Sequence, residues 1–149
     1  MATTRLPIDF KEFLQLLNAH KVEYLLVGGY AVGFHGYPRA TIDMDVWVAR
    51  DPQNAKNLVT VLKDFGFNVE GLSEDLFLEE NKIIRMGEPP IRIEIITSAS
   101  GVSFKECYRD RIQVLFDGVP VNFISLQHLK LNKKASGRHK DLDDLENLP

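Results

Sequence analysis

Two aspartates one residue apart, Asp43 and Asp45, interrupt an otherwise apolar run, Ile42-Asp43-Met44-Asp45-Val46-Trp47-Val48. In an extended chain, residues two apart point to the same side, so these carboxylates share a face. Like charges on one face of an apolar strand repel and resist desolvation unless a cation lies between them. Mg²⁺ suits that place because it takes hard oxygen ligands and is commonly bound together with substrate phosphates, and Mn²⁺ is its near substitute. Upstream, the apolar run Tyr24-Leu25-Leu26-Val27 stops at Gly28-Gly29. Glycines there allow a positive φ and let the backbone approach a bulky group with no Cβ in the way. A helix over Tyr30 to Gly36 would present unpaired N–H groups and the positive end of its dipole, a place for phosphate. A phosphate cradle followed by a metal-binding pair is equipment for nucleotide chemistry.

A third carboxylate is available in Glu94. The strand Ile91–Thr97 puts Ile91, Ile93 and Ile95 on one face and Arg92, Glu94 and Ile96 on the other. A Gly-Gly turn, a short helix, Asp-x-Asp on the next strand and a later acid together resemble the DNA polymerase β-like nucleotidyltransferase superfamily. The likeness is to its small prokaryotic minimal members, including toxin-like and abortive-infection types. Two other nucleotide signatures are absent: no Gly-Lys-Ser/Thr follows the glycines, and the Gly-x-Gly-x-x-Gly spacing is missing.

The resemblance implies a Mg²⁺-dependent enzyme that moves a nucleoside monophosphate from a nucleoside triphosphate to an acceptor hydroxyl, releasing pyrophosphate. It implies that Asp43 and Asp45 hold metal, while Glu94 is either a further ligand or the base acting on the acceptor. Many members carry Asp at the third position and Ser at the second turn position, so Glu94 and Gly29 are departures. Nucleotide contacts fall to Gly28, Gly29, and to Arg39 and Thr41 in the loop before the acidic strand. The planar guanidinium of Arg39 is suited to a β- or γ-phosphate. The segment Lys130–Lys140, KLNKKASGRHK, resembles the Lys…Arg-x-Lys-Asp element whose cations help hold the triphosphate in such proteins. Lys130 and Lys134, one helical turn apart, are the cations named for that duty. The acceptor stays open between RNA, protein and a small molecule, and a cognate antitoxin is a further expected partner. A nucleotide-binding or toxin–antitoxin interaction module without turnover is the alternative from another class.

The elements around these residues imply an α/β (α+β) fold, a mixed sheet flanked by helices. Phe10, Phe13, Leu14 and Leu17 form an amphipathic stripe over Ile8–His20. Asp51-Pro52 starts a helix that runs to about Gly66. Short strands or strand-like loops are expected at Phe67–Val69, Asp75–Glu79 and Lys82–Met86. Arg111–Phe116 and Val119–Ile124 around Asp117-Gly118 form a hairpin, which makes the sheet mixed rather than all-parallel. Ser125 caps a helix, and a last helix spans Arg138–Leu148 after Ser136-Gly137.

The chain has 149 residues, 44% of them hydrophobic and 26% charged, as expected for one globular domain with a C-terminal helical segment at about 125–149. A net charge of −3 excludes a broad basic coat for nonspecific nucleic-acid binding. A single cysteine, Cys107, excludes an internal disulfide and a cysteine-type zinc site. The opening residues MATTRLPIDF lack the apolar core of a signal peptide, and no run approaches the roughly 18 apolar residues of a spanning helix. The expected location is the cytoplasm, away from membranes.

Overall fold

The computed structural model describes residues 5–38, 43–88 and 90–149. Its strands are β1 (Tyr24–Val27), β2 (Asp43–Val48), β3 (Ile83–Glu88), β4 (Ile91–Ile96), β5 (Ile112–Phe116) and β6 (Val119–Phe123). They form one sheet in the order β3-β4-β2-β1-β6-β5. Pairings β1–β6 and β2–β4 are parallel and the other three antiparallel, so the sheet is mixed as expected. The helices are α1 (Ile8–Ala19), α2 (Gly28–Phe34), α3 (Pro52–Asp64), α4 (Phe104–Arg109), α5 (Leu126–Ser136) and α6 (His139–Asn147).

All four residues of β1 are buried, which a central strand covered on both faces requires. The predicted stripe of α1 is the buried one: Phe10, Phe13, Leu14 and Leu17. Asp51 caps α3 by accepting from the Asn54 N–H at 3.0 Å, with Pro52 at the first helical position. Buried Asn54 then ties the helix to the sheet. Its amide donates to the carbonyls of Ala49 (2.9 Å) and Glu23 (3.1 Å), and its oxygen accepts from the Glu23 N–H (2.7 Å). Asp117 and Gly118 take φ of 51° and 79°, the left-handed pair that a two-residue hairpin turn demands.

Phe67–Val69 is an irregular segment and Lys82–Met86 enters β3, but two expectations are corrected. Asp75–Glu79 gives way to a 3-10 turn over Glu74–Phe77. One side chain there, Phe77, is fully buried, and a single turn suffices to bury one residue where a strand would present alternate ones. The helix after the glycines begins at Gly28 itself, not at Tyr30. Among the described residues, no helix is long and apolar enough to cross a membrane.

Candidate active site

Register builds the site. In the parallel ladder Asp43 lies opposite Arg92 and Asp45 opposite Glu94, while the β3–β4 hairpin sets Arg85 opposite Glu94. Three carboxylates and two guanidiniums therefore meet on one face of three adjacent strands. Arg92 forks Asp43, with Nε to Oδ1 at 3.1 Å and Nη2 to Oδ2 at 2.8 Å. The same Nη2 lies 3.4 Å from Glu94 Oε1, which also accepts from Arg85 Nε at 2.9 Å.

Asp45 has no such cation. Its Oδ1 is buried and meets no hydrogen-bond partner among the described residues. Burial first, then the charge and hydrogen bond of Glu94 and the charge of Asp43, push its carboxyl up to about 7, with Lys140 pulling weakly the other way. Gly28 makes this placement possible. Its φ is +63°, and a Cβ built there would stand 2.1 Å from Asp45 Oδ2. The glycine turn thus serves the carboxylate row directly, as well as offering its backbone to a ligand.

A cleft of about 800 Å³ opens over this row, lined by Gly28, Gly29, Asp43, Asp45 and Glu94. Lys133, Arg138 and Lys140 line it too. Lys133 is 4% exposed and pairs with two equally buried carboxylates, Asp141 at 3.2 Å and Asp144 at 3.0 Å. Arg138 Nε donates to Asp141 at 2.7 Å from a mostly exposed side chain. Burial alone would raise Asp141, but the hydrogen bonds from Arg138 and Lys133 outweigh it and hold this carboxyl below the usual range.

The predicted residues divide cleanly. Gly28, Gly29, Asp43, Asp45 and Glu94 are brought together in the cleft. Arg39 and Thr41 fall outside the described residues. Lys130 and Lys134 are not among the residues lining the cleft, and Lys130 Nζ donates to the Pro149 carbonyl instead. On α5 it is Leu129 and Lys133, four apart, that form the buried face. A signal for Lys133 existed, because Asp141 and Asp144, three apart on α6, need a cation from the facing helix. His35 is a packing residue whose Nε2 donates to the Ile124 carbonyl at 2.7 Å.

The donors fit a hard divalent cation. All three are carboxylates, two of them level across adjacent strands, and Asp45 carries an orphaned buried oxygen. Counting charges, three carboxylates less two guanidiniums leave one negative charge when all are ionised. Among the described residues no three His, Cys, Asp or Glu side chains are already gathered around a common point, and Asp43 and Glu94 are each engaged by arginine.

Comparison with known proteins agrees with this geometry. No curated protein matches the chain by sequence. TM1012 of Thermotoga maritima, named as a nucleotidyltransferase, superposes with a TM-score of 0.62 at 15% identity, over 92% of this chain and 88% of its own. An antigenic nucleotidyltransferase-like protein from Paracoccidioides brasiliensis gives a TM-score of 0.54 at 21% identity, over 93% of this chain and 73% of its own. The lincosamide antibiotic adenylyltransferase LnuA, in a lincomycin-bound structure, gives 0.57 at 16% identity over 97% of both chains. At these identities the likeness is one of fold. The family model described as nucleotidyltransferase of unknown function (DUF6036) matches residues 5–148, and the chain belongs to that nucleotidyltransferase family.

Proposed function

We propose that the protein transfers a nucleoside monophosphate from a nucleoside triphosphate to an acceptor hydroxyl and releases pyrophosphate, with Mg²⁺ as the metal. The observation that carries this reading is Asp45: half-buried with a buried, orphaned Oδ1, level with Glu94, short of a cation, and sheltered by a glycine that leaves room for nothing larger. Asp43 and Asp45 would hold the metal, which supplies charge stabilisation at the transferring phosphate. The backbone at Gly28-Gly29 and the cations Arg138 and Lys140 line the same cleft and orient the triphosphate. The acceptor oxygen bonds to the α-phosphorus as the bond to the β-bridging oxygen breaks. Its proton passes to Glu94.

Incubation with α-labelled nucleotides, Mg²⁺ and cell extract tests the reading. Labelled acceptor should form with the wild type and be lost, by a factor of a thousand or so, with Asp43→Asn or Asp45→Asn. Mg²⁺-dependent nucleotide binding with no transfer would mark a binding module instead. Unchanged transfer by the double variant would remove the metal assignment altogether.

A further inference from the structure

The face that carries Asp43 and Asp45 continues to Trp47, two residues further along β2 and level with Ile96. Its Cα is roughly 7 Å beyond that of Asp45. The indole is 2% exposed, and its Nε1–H is buried with no acceptor among the described residues. Buried donors are nearly always partnered, so an indole left this way points to a ligand oxygen.

Trp47 lines a second cleft, of about 770 Å³, at the far end of β2 and β4. Phe104 meets Trp47 edge-on at 5.1 Å between ring centroids, and Tyr108 stacks on Phe104 at 5.4 Å. Three aromatic side chains around such a volume suit a small molecule that carries a ring. Ser98 and Ala99 line this cleft and the carboxylate cleft alike, so the two clefts adjoin on the face that carries Asp45 and Trp47.

Charge narrows the ligand further. The cleft is bordered by Glu23, Asp51 and Glu80 against Arg50 and Lys105, and Arg50 is already paired with Glu80 at 3.3 Å. The remaining balance is negative. A nucleic-acid backbone binds where Lys and Arg dominate, so this border favours a neutral or cationic occupant.

We propose that the second cleft is the acceptor site, and that the acceptor is a small neutral or cationic molecule with a ring, a free hydroxyl and an oxygen that accepts from Trp47. This rests on the nucleotidyltransferase reading above. The acceptor hydroxyl oxygen bonds to the α-phosphorus of the nucleoside triphosphate. The bond from that phosphorus to the β-bridging oxygen breaks, pyrophosphate leaves with the electron pair, and the hydroxyl proton passes to Glu94.

Trp47 is the sole tryptophan, so its emission reports on the cleft without labelling. The full-length protein, Mg²⁺ and α-labelled nucleoside triphosphates are offered three pools from one extract: the low-mass filtrate, total RNA and protein. Label should enter the filtrate alone, and the filtrate should shift Trp47 emission saturably. Phe104→Ala and Tyr108→Ala should each raise the filtrate concentration for half-maximal transfer by roughly tenfold. Their Mg²⁺-dependent nucleotide binding should persist, which also shows that they fold. Label on RNA or protein, or wild-type behaviour of both variants, overturns the proposal. Nucleotide binding with no label in any pool also overturns it while sparing the nucleotide site. Absence of Mg²⁺-dependent nucleotide binding in the wild type would instead remove the transferase reading, and the acceptor cleft with it.

Discussion

Two clusters of charge line the same cleft, one buried between helices and one half-buried on the sheet, and they are built on opposite terms. In the α5–α6 pair, Lys133 sits between Asp141 and Asp144 with Arg138 on the outer side, so each buried acid has a cation within 3.2 Å. In the sheet, Arg92 and Arg85 engage Asp43 and Glu94, while Asp45 keeps one buried oxygen, Oδ1, that meets no hydrogen-bond partner among the described residues. A completed cluster holds its own helices in place. An incomplete one keeps a carboxylate at a cost in folding energy, and on the proposed function that cost is met by the metal. The difference is between charge compensated within the fold and charge left for compensation from outside, although both lie in the same cleft.

The comparison breaks most visibly at Lys133. Lys133→Met deprives two buried carboxylates of their shared cation and should cost about 3–5 kcal/mol in urea unfolding at neutral pH. A loss under 1 kcal/mol would mean that the cluster is not structural.

Asp45→Asn should act in the opposite direction. Burial, with the charges of Glu94 and Asp43, pushes the folded-state pKa up to about 7, above the ordinary carboxylate value of 3.8. The contribution of Asp45 to stability is therefore whole below about pH 4 and drains away as pH rises to 7. Measured without metal, the variant should match the wild type near pH 4 and exceed it by about 3 kcal/mol at pH 8. Parallel stability–pH curves for the two proteins would show that Asp45 is already compensated.

Gly28→Ala sharpens the same contrast with a smaller effect. A Cβ in collision with Asp45 Oδ2, at a φ that L-residues avoid, should cost about 1–2 kcal/mol. It should also weaken Mn²⁺ binding, read by titration of the metal alone, whereas alanine at a merely convenient turn would leave that affinity unchanged.

The smallest effect is expected at Arg92. This guanidinium forks Asp43 and competes for the oxygens a metal would use. Arg92→Gln should tighten Mn²⁺ binding by roughly fivefold. Weaker binding would mean that the fork positions Asp43 for the metal and does not compete with it.

What could be read from the sequence was whatever depends on neighbours along the chain. The period of two at Asp43 and Asp45, the stripe of α1, the Asp51 and Ser125 caps and the Asp-Gly turn are local codes, and each reappears in the structure. The level pairing of Asp45 with Glu94 comes from the parallel register of β2 and β4. What the local pattern leaves open depends on which face another element covers. Lys130, Lys133 and Lys134 all lie on α5, and only the packing of α6 selects Lys133. The forks made by Arg92 and Arg85 arise from cross-strand register, which no single strand encodes. Phe77, the one fully buried side chain of its turn, carries no period that would tell a turn from a strand.

The ladder between β2 and β4 also governs when the site comes into existence. Asp43 and Arg92 are 49 positions apart, and their strands run parallel, so they meet only after a long crossover has closed. The β5–β6 hairpin, by contrast, closes across two residues and needs no such search. On this ordering the repulsion at Asp45 is not yet felt while the sheet is being found. It bears on how long the native state lasts, not on how quickly it is reached. In refolding kinetics Asp45→Asn would then leave the folding limb in place and slow the unfolding limb, prolonging a state whose formation it does not hasten.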